Sequence, residues 1–140
     1  MRYDLDLVEL SFCEVGLPVR NADQRVEIDL GPSVVLYFQN AEREDDCSIG
    51  FLDTPWHSHD NLMFVGSHGN YIELGYLDLA AALKNGRVLI CERELRGQTV
   101  DRWLIHSGFN DEFKHVAEGE RIIARHAMTH PACKSLLSGN

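Results

Sequence analysis

Over the first half of the chain, apolar and polar residues mostly alternate with the period of two that a half-buried strand requires. "RYDLDLVELSF" sets Tyr3, Leu5 and Leu7 against Asp4 and Asp6. Its phase shifts at Val8 and Leu10, which leaves room for a bulge in an expected N-terminal strand. "QRVEIDL" places Val26, Ile28 and Leu30 on one face and Glu27 and Asp29 on the other, as in a sheet with one wet side. After the Gly31-Pro32 punctuation, "SVVLYFQ" is a continuous apolar run that predicts a central strand buried on both faces. "CSIGFLD" is a shorter strand candidate.

The period then changes. Between Tyr71 and Asn85, the residues Ile72, Tyr76, Leu79 or Ala80, and Leu83 recur at helical spacing. Asn70 is placed to cap this helix, with Glu73 completing a capping box. Gly75 weakens the first turn by roughly 1 kcal/mol relative to alanine, which allows a start nearer Tyr76. Lys84 and Gly86 form an ordinary stop signal. "RVLICEREL" and "TVDRWLIH", separated by "RGQ", then predict a hairpin, and "RIIARHA" a last strand. The tail from residue 128 carries little pattern and is expected to be loosely ordered. Together these elements predict one α+β domain spanning residues 1–140. Its architecture would be an antiparallel sheet of about five to seven strands with one main helix packed on one face.

A chain of 140 residues suffices to bury about two thirds of its unfolded surface. Its 44% hydrophobic and 25% charged residues are those of a globular protein. No apolar run approaches the roughly 20 residues of a membrane helix, and the alternating N-terminus is unlike the apolar region of a signal peptide, so a cytoplasmic location is expected. The formal charge of −9 argues against a nucleic-acid binder, which needs a basic excess to displace counterions from phosphate. It suits a basic protein partner, with the run Glu42 to Asp46 as the most concentrated acidic stretch.

Candidate chemistry centres on "TPWHSHDN", Thr54 to Asn61. His57 and His59 stand two residues apart, so an extended backbone would turn both imidazoles to one side. Two readings follow. In the first, Trp56, His57, His59 and Asp60 shape the edge of a core and a contact surface, the imidazole nitrogens satisfied by backbone groups or by Asp60. The acidic residues Glu44, Asp45 and Asp46 would then steer a partner, and no cofactor is needed. In the second, His57 and His59, with His68 as a third donor, hold a divalent metal such as zinc in a small enzyme. The cupin pattern places a glutamate four or five residues after His-x-His, and Met63 and Phe64 stand there instead.

Nucleophilic catalysis finds less support. Cys13 and Cys91 lie in apolar runs where a thiol behaves as a small hydrophobe, and Cys47 follows three acidic residues that disfavour a thiolate. Cys133 with His130 is a conceivable dyad in the tail. The adjacent Asp111 and Glu112 would point to opposite faces of a strand. His106, His115, His126 and His130 read as surface or strand-end residues. No Cys-x-x-Cys pair, Gly-rich phosphate loop or Gly-x-Ser-x-Gly elbow is present.

The succession of "PWHSHDNLMF", "LDLAAALKNG", "RVLICERELRGQTVDRWLI" and "EGERIIARHA" resembles a group of small bacterial proteins with a Trp-His-x-His motif. Such groups are regarded as immunity-type or accessory proteins of polymorphic-toxin loci. The resemblance spans Trp56 to Ala127 and rests chiefly on the histidine motif. It implies a protein-binding role against a toxin and supplies no catalytic role for His57 or His59.

Overall fold

The computed structural model describes residues 1–43, 46–110 and 116–127. Among them are two α-helices, α1 (Leu5–Glu14) and α2 (Leu79–Lys84). The strands are β1 (Val19–Ala22), β2 (Arg25–Gly31), β3 (Val34–Asn40), β4 (Cys47–Phe51) and β5 (His57–Ser58), then β6 (Leu62–Val65), β7 (Tyr71–Leu74), β8 (Val88–Leu95), β9 (Gln98–His106) and β10 (Glu120–Arg125). Every pairing is antiparallel. Strands β1 to β5 form one sheet in chain order, β10-β8-β9 form a second, and β6 with β7 form a two-stranded ribbon. The expected α+β class and mainly antiparallel character hold. The expected single sheet with one main helix gives way to three sheets and two helices.

The largest departure is at the N-terminus, which is a helix where a strand was expected. Asp4 caps it, its carboxylate accepting from the Leu7 N–H at 3.2 Å. Val8 and Phe12, four residues apart, are fully buried, whereas Leu7 and Leu10 remain 45% and 48% exposed. The phase shift at Val8 was therefore the helical period itself. Just before the helix, buried Asn40 at the end of β3 accepts from the Tyr3 N–H at 2.8 Å and donates to the Tyr3 carbonyl at 2.9 Å. That clamp fixes where the helix starts, and Phe12 then meets Phe38 edge-on at 5.7 Å.

The second helix is shorter than its periodicity suggested. Tyr71–Leu74 pairs with β6, since in the capping-box segment Glu73 lies opposite Met63 and Ile72 opposite Phe64. Gly75 then breaks the extended run, a 3-10 turn spans Tyr76–Asp78, and α2 follows. The stop at Gly86, with φ +80°, is as expected. The apolar run in β3 is central but alternates, with Val34, Leu36 and Phe38 buried and Val35, Tyr37 and Gln39 half-buried. The β8–β9 hairpin closes through Arg96 and Gly97, both at positive φ, the pairing that suits the twist of a two-residue connection.

One large core joins α1, α2, the inner faces of β2, β3 and β4, and Leu62, Phe64, Val88, Ile90 and Leu104. The β8–β9 pair buries both of its faces. On the far face, Cys91, Trp103 and Ile105 form a second, smaller cluster. Of the described helices, none is long and apolar enough to cross a membrane.

Candidate functional site

The Thr54–Asn61 stretch runs from the end of β4 through the short edge strand β5, whose His57 lies opposite Gly50 and Ser58 opposite Ile49. Gly50 is what lets this segment lie down. A β-carbon there would stand 2.9 Å from the Trp56 carbonyl oxygen and 2.7 Å from the Tyr37 hydroxyl. Trp56, half-buried, packs against both hydrophobic clusters and lies 6.0 Å from the Phe51 ring. It therefore ties the larger core to the smaller one.

His57 and His59 share a side of the chain, their rings 5.1 Å apart and edge-on, and both are exposed. Nδ1 of His57 donates to the Pro55 carbonyl at 3.1 Å, and Nδ1 of His59 donates to the Cys47 carbonyl at 2.9 Å. Because a carbonyl oxygen only accepts, each Nδ1 must hold the proton, which leaves each neutral ring its Nε2 lone pair. Backbone carbonyls thus hold Nδ1 of both imidazoles. The Asp60 carboxylate instead accepts from the Cys47 thiol at 3.4 Å, while the Asp60 carbonyl accepts from the Tyr3 hydroxyl at 2.7 Å. Burial, and then the Cys47 contact, push the Tyr3 phenol well up, so it stays a donor to Asp60. Asp46 lies 3.6 Å from His59 Nδ1. Glu44, Asp45, Asp111, Glu112, His115, His130, Cys133 and the tail lie outside the described residues.

For a metal, the two Nε2 atoms are suitable donors, and backbone bonds at Nδ1 are a common way to orient such ligands. The proposed third donor does not join them: His68 sits in the exposed turn Ser67–Gly69 between β6 and β7, with φ +60°. Among the described residues, no group of three or more His, Cys, Asp or Glu side chains is placed to share an ion.

Beside the histidines lies a groove of about 110 Å³. It is lined by residues 56–58, 62–65, 104–105 and 109–110. Consecutive residues of β6 point to opposite faces, so a groove touched by all four runs along the edge of that strand. Trp56, Leu62, Phe64, Leu104, Ile105 and Phe109 contribute apolar side chains to its walls, together with His57, Ser58 and Asn110, and the exposed lining is more polar than apolar. Small-molecule sites usually enclose about 300–1,000 Å³, so this groove is of side-chain size.

Phe109 reaches the groove from a tight turn after β9. The Gly108 N–H donates to Nδ1 of His106 at 3.0 Å, and the imidazole lies between Phe64 at 5.8 Å and Phe109 at 5.4 Å. An acceptor nitrogen is unprotonated, and burial followed by the charge of Arg87 lowers the His106 pKa from its ordinary 6.5. The neutral form therefore favours folding. Its contribution is complete above about pH 6.5 and is lost as pH falls through the lower folded-state value. Denaturant midpoints between pH 7.5 and 5 should thus fall less in His106→Asn, whose carboxamide oxygen can accept the same N–H, than in the parent. Parallel profiles would refute the role given to His106.

The sequence reading missed a buried ion network on the main-core face of β8 and β9. Glu92 and Arg102 face each other across the strands, 2% and 4% exposed. Arg102 Nε donates to Glu92 at 2.6 Å and Nη1 donates to Asp53 in the turn after β4, while Arg125 of β10 reaches Glu92 at 2.7 Å. The Arg102 guanidinium lies 5.7 Å over the Phe51 ring. Burial opposes its charge, yet the bonds to Asp53 and Glu92 outweigh that and raise its pKa. The signal was present in the strand parity: Glu92 falls in phase with Val88 and Ile90, and Arg102 with Leu104.

Compared with protein-family models, curated proteins and solved structures, the chain finds no match.

Proposed function

We propose that the protein is a non-catalytic protein-binding module of immunity type, whose partner is a basic protein such as a toxin encoded beside it. The observation that supports this most is where the groove sits. Much of its wall comes from residues 56–58 and 62–65, inside a stretch, residues 44–83, that has seven acidic residues and no lysine or arginine. A side-chain-sized slot walled largely by a stretch with no lysine or arginine suits a partner that arrives by long-range attraction and is held by a buried anchor. Trp56 and His57 supply the rim.

Steering sets the test. Reversing Glu44, Asp45 and Asp46 to lysine should slow association with a cognate basic partner about tenfold at low ionic strength and flatten its salt dependence. An unchanged on-rate would overturn the steering mechanism. Elemental analysis of untagged protein separates the competing enzyme reading: stoichiometric zinc, lost in a folded His57→Ala, His59→Ala variant, would move the site to metal chemistry.

A further inference from the structure

The ribbon of β6 and β7 covers only one of its faces. On the other, Met63, Val65 and Tyr71 are 51%, 44% and 63% exposed. The register sets Met63 opposite Glu73 and Val65 opposite Tyr71, so these four side chains form a single outward patch. Met63 and Val65 also line the groove, which makes patch and groove continuous. Glu73, exposed beside Met63 and Tyr71, forms no ion pair among the described residues.

We propose that the outer face of the β6–β7 ribbon and the groove along the edge of β6 are one docking surface, and that its occupant is a lysine- or arginine-bearing polypeptide segment that seats one aliphatic side chain in the groove. The assignment rests on the binding-module reading and specifies which face does the binding. Size limits the anchor: a cavity of about 150 Å³ holds benzene, so about 110 Å³ has room for one side chain of about leucine size, set against the rings of Trp56, Phe64 and Phe109. Charge selects the rest of the segment. The ribbon lies in the stretch without lysine or arginine, and Glu73 is placed to meet a cation that lies flat on Met63 and Tyr71. A second copy of this chain fits less well, because a two-fold contact through the patch would bring Glu73 against Glu73 in a molecule of charge −9.

Three capped seven-residue peptides test this against the isotope-labelled full chain: a central leucine flanked by lysines, the same peptide with alanine at the centre, and the leucine peptide with glutamates for lysines. The lysine–leucine peptide should shift the amide signals of residues 56–58, 62–65 and 71–74, bind at least fivefold more tightly than either control, and weaken as salt is added. Glu73→Lys and Met63→Ala, both at exposed positions, should each weaken it at least threefold without loss of fold. Equal binding of the leucine and alanine peptides, shifts confined to another face, or no binding at millimolar peptide would overturn the docking surface. A cognate toxin-type partner keeps the two proposals distinct. Tight toxin binding that is indifferent to Glu73→Lys and Met63→Ala would sink this surface and leave the module reading standing, whereas absence of toxin binding by the parent chain would sink that reading.

Discussion

Replacing Arg102 with methionine is expected to destabilise the protein by about 3–5 kcal/mol, measured as a drop in denaturant midpoint at unchanged slope. The cost comes less from the lost attraction than from what remains. Glu92 would keep its charge in a site only 2% exposed, with Arg125, itself largely at the surface, as its remaining ion-pair partner among the described residues. Asp53, about half exposed, would return to solvent with little penalty. The double replacement Glu92→Met, Arg102→Met should recover most of the loss, because two apolar side chains of similar volume leave no buried charge uncompensated. A single variant that costs less than about 1 kcal/mol would show that the network is not buried as described.

Phe12→Ala should cost about 3–5 kcal/mol, and Leu10→Ala less than about 0.5 kcal/mol. In α1, Phe12 is enclosed by the core and abuts Phe38, while Leu10 is nearly half exposed. In a strand, residues 10 and 12 would share one face and lose comparable stability when truncated. The ratio of the two effects, read by denaturant unfolding, therefore tests the N-terminal helix without any new structure. Similar losses at both positions would restore the strand.

That helix also shows how far the sequence could be read. Leu5, Leu7 and the intervening acids imitate a strand over the four or five residues in which either period fits. What decides in favour of the helix is Asn40, thirty-seven residues distant from Tyr3, which clamps the chain just before it. The segment at Tyr71 failed for the opposite reason: its helical spacing was real, but pairing with β6 satisfied the backbone of the first four residues before a helix could. Strands β2, β3 and β4, the β8–β9 hairpin and β10 were legible because each is bounded by its own turn chemistry.

At the site, the spacing of His57 and His59 foretold that the two rings would share a side. It could not foretell that carbonyls at residues 55 and 47 would claim both Nδ1 protons, or that His68 would lie apart. The groove was invisible to any local pattern, since β6, β9 and the turn at Phe109 build it from distant parts of the chain.

The missing lysines and arginines have a practical corollary. Trypsin cuts after Arg43 and next after Lys84, so the Trp-His-x-His segment, the ribbon and Glu73 leave a digest as one peptide. Covalent labelling of the folded protein, alone and with a partner, would register protection of the ribbon and the histidine segment in a single mass-spectrometric fragment, and of the Leu104–Asn110 side of the groove in a second one.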